Sequence, residues 1–316
     1  GRPVVILALV ALMASCGGDA GGETSSATAP STVPSTTVAP ATLPAPVAAD
    51  PTVVPVADRT EARFDIIGGP DWLAATDDAL WVKGDDGRLV RLDPTTNEVV
   101  AEIQAGSDSE VCQGIGAGAG ELWTCDERDL VRIDPVTNEV PATVPVDKFY
   151  DSGQIPVAFD HAWALADDGS VLVGVADDAV DVEFDLGVRC TGITAGDDAL
   201  WAACIEDGTV IRIDPVTGEV TQRIEGLDDA RAISAEGGNV WAGYSGGVAL
   251  IDAATATVVG VADAPTGQSG GVFASDGGVW VRTPGELRRV EEDLEVVEKI
   301  AFPEESGGSV LVAFAV

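Results

Sequence analysis

The chain has 316 residues, of which 53 are Asp or Glu and 17 are Lys or Arg, giving a formal net charge of −36. A surface that acidic repels nucleic-acid phosphates and anionic lipid headgroups, so nucleic acid is excluded as a partner and a basic patch is excluded as a membrane attachment. The 37 Gly and 18 Pro suit many tight turns, and 46% hydrophobic residues are ample for one packed domain.

From the N-terminus, Val4 to Met13 is an unbroken apolar run. It is too short to span a bilayer and is followed by small residues, the pattern of the apolar region of a secretory signal. Met13-Ala14-Ser15-Cys16-Gly17 resembles the lipobox of bacterial lipoproteins. That resemblance implies cleavage before Cys16, a diacylglycerol on its thiol, and attachment to the extracytoplasmic face of the cell membrane. Residues 1–15 are therefore expected to be a signal peptide, and Arg2 with no Met before it is expected to follow a start outside these residues. From residue 16 to 57 Ser, Thr, Ala, Pro, Gly and Val dominate, and no aromatic residue precedes Phe64. Such a segment cannot bury enough apolar surface to order itself. It is expected to be a tether reaching roughly 35 Å as a coil and roughly 120 Å if extended.

Residues 58–316 carry a repeat. Trp81, Trp123, Trp163, Trp201, Trp241 and Trp280 follow one another at intervals of 38 to 42 residues. Around them the sequence rewrites one unit, plainest as Ala79-Leu80-Trp81 with Arg91-Leu92-Asp93-Pro94 and as Ala199-Leu200-Trp201 with Arg212-Ile213-Asp214-Pro215. Short apolar runs and turns at a period of about 40 residues predict an all-β propeller of four-stranded blades. In each unit the run before the tryptophan is the inner strand, the tryptophan strand is second, an alternating run is third, and an Asp-Pro turn leads into the outer strand. In that turn Asn97, Asn138 or Gly218 supplies the left-handed residue, so Asp93, Asp134 and Asp214 read as turn formers and not as metal ligands. Asp85-Asp86-Gly87 and its counterparts read as hairpin turns.

Six complete repeats are visible. Residues 63–67 look like an outer strand without a blade, and Val310 to Phe314 look like an inner strand, with the next tryptophan due at about position 318. The expectation is seven blades with the last truncated; six blades with two extra edge strands is the alternative. Apart from Cys16 there are four cysteines, Cys112, Cys125, Cys190 and Cys204. In register they lie at one edge of neighbouring strands, which predicts Cys112–Cys125 and Cys190–Cys204 disulfides.

The Leu-Trp, Asp-Gly and Ile-Asp-Pro-x-Thr-Gly-Glu-Val elements make the units resemble YVTN-type and virginiamycin B lyase-like bacterial propellers from about residue 60 onward. The lyase resemblance implies a catalytic His, acidic residues and a Mg²⁺ ion near the axis. The one histidine, His161, falls in a turn on the opposite face, so no catalytic residue is carried across and no metal ligand is assigned. The Asp-Pro-Val-Thr-Gly-Glu unit is also similar to quinoprotein repeats, but the tryptophan that follows in those is absent, so no such cofactor is expected.

Propeller geometry places a ligand face at the residues just before each inner strand. In register these are Trp72, Gln113, Gln154, Arg189 and Arg231, with Asp71, Gln268 and the Lys148-Phe149-Tyr150 loop beside them. Two arginines, an off-period tryptophan and amides predict a pocket for a small anionic or polar ligand. The expected function is a lipid-anchored, extracytoplasmic binding or scaffold module for a small ligand or protein partner, with no cofactor. The alternative is an extracellular lyase or lactonase-like enzyme using carboxylates and a divalent cation on that face.

Overall fold

The computed structural model describes residues 43–47, 51–107, 114–150, 154–267, 270–275 and 277–302. Short β-branched runs punctuated by Gly and Asp turns form strands because each is long enough to cross a sheet and too short for a stable helix. Six antiparallel sheets of four strands follow in chain order, with a short extra strand on the third and the sixth. Their inner strands are Pro70–Thr76, Ile115–Gly118, Val157–Ala158, Gly192–Ala195, Ala232–Glu236 and Val272–Ser275. Inner strands of blades 1 and 2, 2 and 3, 4 and 5, and 5 and 6 pack side by side, so the sheets stand radially around an axis. This is the expected propeller.

The first five period tryptophans each pack into the next blade. Trp81 shares a buried cluster with Ile115, Leu122, Val131 and Ile133 of blade 2, Trp123 with Ala162, Ala164, Val173 and Val175 of blade 3, and Trp163 with Ile193, Leu200, Ile211 and Ile213 of blade 4. Trp201 meets Ile233, Val240, Ala249 and Ile251, and Trp241 meets Val272, Val279, Val281 and Val290. Filling a void of that size is worth about 3–5 kcal/mol per tryptophan, so the spacing of about 40 residues is the spacing of blade-to-blade contacts. On the other side of the strand pair, Arg91 lies opposite Trp81 with its guanidinium carbon 5.4 Å from the ring centroid. Arg212 sits in the same way over Trp201 and Arg289 over Trp280. Arg91 and Arg212 are steered there by Asp78 and Asp198, at 2.7 and 2.8 Å.

The Asp-Pro turns close as the spacing predicts. Asn97, Asn138 and Gly218 have φ of 57°, 61° and 71°, and their N–H groups donate to the carbonyls of Asp93, Asp134 and Asp214. The aspartate side chains accept from the turn amides, Asp214 from Val216 and Thr217 at 2.9 Å each. Cys190 and Cys204 are joined, S–S 2.04 Å, inside the cluster between blades 3 and 4. Cys125 is disulfide-bonded as well, and its expected partner Cys112 lies outside the described residues.

Blades 6 and 1 stand outside this pattern. Among the described residues no buried cluster joins them. Leu80, Val82, Val90 and Leu92 of blade 1 are covered by Phe64 and Ile66, whereas Trp280, Leu287 and Ile300 of blade 6 pack with Val56 and Phe302. Residues 63–67, expected to be an outer strand, hold no regular strand here; Val310 to Phe314 lie outside the described residues, as do residues 1–42 with Cys16.

Part of the stretch expected to be a tether lies against the blades. Leu43 packs on the cluster between blades 4 and 5. The Val47 amide donates to the Val261 carbonyl at 2.9 Å on the outer strand of blade 5. Val53–Pro55 then forms a parallel strand on Val296–Ala301, the outer strand of blade 6, and Arg59 pairs with Glu298 at 2.6 Å. The stretch is rich in Pro, Ala and Val, and Leu43 and Val56 are the side chains that join buried clusters.

Candidate functional site

The site is built by a break in blade 3. Its inner edge is made of two short pieces, Phe149–Tyr150 against one end of the tryptophan strand and Val157–Ala158 against the other. Between them, residues 154–156 lie at the axis, where Gln154 forms an isolated parallel bridge with Ile115 of blade 2. Gly116 permits this approach, because a Cβ there would lie 1.7 Å from the Ile155 carbonyl oxygen. From that position the Gln154 side-chain amide donates to the Ile233 carbonyl of blade 5 at 3.0 Å, spanning the channel. On the far side the Ala274 amide donates to the Ser234 hydroxyl at 3.0 Å, tying blades 5 and 6.

Around Gln154 is a cavity of about 230 Å³. Blade 1 contributes Trp72 to Ala75, blade 2 Ile115 to Ala117, blade 3 Gln154 to Pro156, blade 4 Ile193 and Thr194, and blade 6 Phe273. None of these lining residues is charged. Trp72 is the one tryptophan off the period and is half-buried, while the six blade tryptophans are buried. It reaches the axis because the first strand bulges between Pro70 and Trp72.

Of the five residues expected to form a ligand face, Trp72 and Gln154 come together in this cavity. Gln113 and Gln268 lie outside the described residues, as does the side chain of Asp71. The two arginines do not line the cavity. Arg231 is held by Asp229, two residues away, at 2.8 and 2.9 Å. Arg189 donates to the Asp168 carbonyl at 3.0 Å and lies over the Tyr150 ring at 5.8 Å, while its backbone amide donates to Glu206. Lys148 pairs with Asp167 at 2.9 Å. In a chain with three acidic residues for each basic one, carboxylates and carbonyls close by capture the arginines before the axis can. Sequence reasoning missed Ile155, Thr194 and Phe273; the first lies in the break of blade 3, and the others are ordinary inner-strand residues whose register alone could have marked them.

His161 begins the tryptophan strand of blade 3, with ring nitrogens 2.8 Å from the Phe159 carbonyl and 2.9 Å from Asp181. It is away from the cavity. Asp93, Asp134 and Asp214 are held below the usual carboxylate range by turn amides, foremost those of Thr95, Thr137 and Thr217, and Asp252 by Thr255. Those shifts belong to turns. Among the described residues no three His, Cys, Asp or Glu side chains converge to hold a metal ion, and no helix is long and apolar enough to cross a membrane.

No family model and no curated protein matches the chain. Solved structures do match in fold. The WD40 domain of Pan2 from Neurospora crassa superposes with a TM-score of 0.61 at 9% identity, covering 75% of this chain and 80% of that one. Hydrazine synthase from Kuenenia stuttgartiensis gives 0.60 at 12% identity, covering 74% and 79%. At such identities the likeness is one of architecture, and the chain is a β-propeller.

Proposed function

We propose that this protein is a bacterial lipoprotein of the YVTN-like kind, lipid-anchored at Cys16 on the extracytoplasmic face of the cell membrane, whose propeller binds a ligand or partner at its axial face. The observation that carries the binding reading is the axial cavity, made by interrupting a strand of an otherwise regular blade. Natural blades lose ladder hydrogen bonds when an inner strand breaks, and that loss is retained where it shapes a site. The compartment is supported by the Cys190–Cys204 disulfide, since such bonds persist in oxidising surroundings. The anchor is supported by the apolar run and lipobox-like residues at Met13 to Gly17.

The test expresses the full chain and its Cys16→Ser variant in a bacterial host, labels cells with a fatty acid, and separates membranes. Label and membrane recovery that both depend on Cys16, together with accessibility to a membrane-impermeant reagent on spheroplasts, are the expected result. An unlabelled parent protein, or one inaccessible from outside, would refute the anchored extracytoplasmic reading.

A further inference from the structure

The sequence alone points to a small anionic or polar ligand, and the lining of the axial cavity narrows that choice. We propose that the axial cavity is a site for a small, uncharged aromatic molecule that carries one polar group. This deepens the binding reading above and rests on it, although it concerns the cavity and not the anchor.

Size sets the first limit. A volume of about 230 Å³ lies below the roughly 300–1,000 Å³ of sites for drug-sized ligands, so a single ring with a substituent fits and a fused polycycle does not. Shape sets the second. Trp72 and Phe273 are the aromatic residues of a lining that is otherwise aliphatic apart from Gln154 and Thr194, and a flat ring gains offset-stacked or edge contacts with such residues that an alkyl chain does not. Charge sets the third. The arginines that would have neutralised an anion are engaged with Asp229 and with the Asp168 carbonyl. The net charge of −36 repels anions before they arrive. A cation is drawn to the surface by the same field, yet the described cavity walls offer no carboxylate, and moving an ion out of water without a counter-charge costs several kcal/mol. A neutral polar group avoids that cost. Gln154, whose amide also donates to the Ile233 carbonyl, and Thr194 are the residues of the lining with polar side chains.

Three isosteric probes separate these limits: benzamide, benzoate and benzamidinium share one shape and differ in charge. Binding to the full chain is followed by ligand-observed NMR and by the fluorescence of Trp72, whose half-buried indole differs from the six buried ones. Benzamide is expected to bind at millimolar concentration, and the two ions at least tenfold more weakly. Trp72→Ala is expected to weaken benzamide at least tenfold, and Gln154→Glu to reverse the order in favour of benzamidinium. The second variant keeps the reasoning testable if the first fails to fold. Benzoate binding as well as benzamide, benzamide binding unchanged by both variants, or no binding of benzamide overturns the proposal. Each of these outcomes leaves the fatty-acid labelling result standing, so the two readings fail separately.

Discussion

Removal of the Cys190–Cys204 bond is the perturbation whose size follows most directly from the structure. The bond joins positions 14 apart and ties the entry of blade 4's inner strand to the end of its second strand. In the chain-entropy account, closing a loop of about 15 residues removes about 3 kcal/mol of unfolded-state freedom. Both sulfurs are buried beside Trp163, Leu172 and Ile193, so a Cys190→Ala, Cys204→Ala double variant also loses packing, about 1 kcal/mol. For a domain of this size each kcal/mol moves the melting temperature about 2–4 °C, which for about 4 kcal/mol gives an expected fall of about 8–16 °C. Thermal melts of parent and double variant, followed by circular dichroism, measure it. The single Cys204→Ala variant is expected to fall nearly as far, because opening the loop is most of the effect. A double variant that melts within about 2 °C of the parent would refute the reasoning, since the loop would then be held shut by its strands alone.

The four turn aspartates make the protein acid-sensitive: their folded pKa values lie below the usual 3.8, so their contribution is complete above that value and is lost as pH falls through the lower folded values. Melting temperatures taken from neutral pH down to about 3 should drop more steeply for the parent than for a variant with Asn at positions 93, 134, 214 and 252, and parallel curves would count against the turns as the cause. Trp201→Ala should cost about 3–5 kcal/mol in denaturant unfolding, whereas Trp280→Ala should cost less, because Trp280 packs on its own blade, Val56 and Phe302 and not on a following blade; equal losses would mean that the junction of blades 6 and 1 is as tightly packed as the others. Gly116→Ala should destabilise by about 1–3 kcal/mol and weaken benzamide binding, since the new methyl must push Ile155 from the cavity wall. Gly120→Ala, where φ is +81° and the space is open, should cost only about 1–2 kcal/mol and leave binding unchanged.

What could be read from the sequence was what local rules decide. The tryptophan period marks the propeller because five of the six indoles meet the next blade, and the Asp-Pro turns are legible because five consecutive residues contain the aspartate's hydrogen bonds to the turn amides and the bond that closes the turn. Trp72 stood out by being off that period, and Gln154 by lying in a long entry to blade 3. Arg231 and Arg189 precede inner strands, as their place in the unit implies, yet neither lines the cavity, because their direction is set by competition among many nearby acceptors, which linear order does not rank. The arginine two residues before Asp-Pro carried a signal that went unused. It lies directly opposite the tryptophan in the strand pair, as Arg91 and Arg212 show, and its fixed place in the unit is that of a cap on the indole. Nor does composition distinguish a free tether from one that lies on sheet edges, as Val47 and residues 53–55 do through backbone pairing.

Those same residues bear on the cavity. Trp72 belongs to blade 1 and Phe273 to blade 6, the two neighbours that share no buried cluster among the described residues. Elsewhere a tryptophan fixes the distance between adjacent blades. Here the link is the chain itself: Val56 is embedded in blade 6, Arg59 holds Glu298 of the same blade, and Phe64 and Ile66 are embedded in blade 1. Among the described residues, the two aromatic residues of the cavity thus come from blades that this stretch of chain links, and a ligand in contact with both Trp72 and Phe273 would add a further link between them.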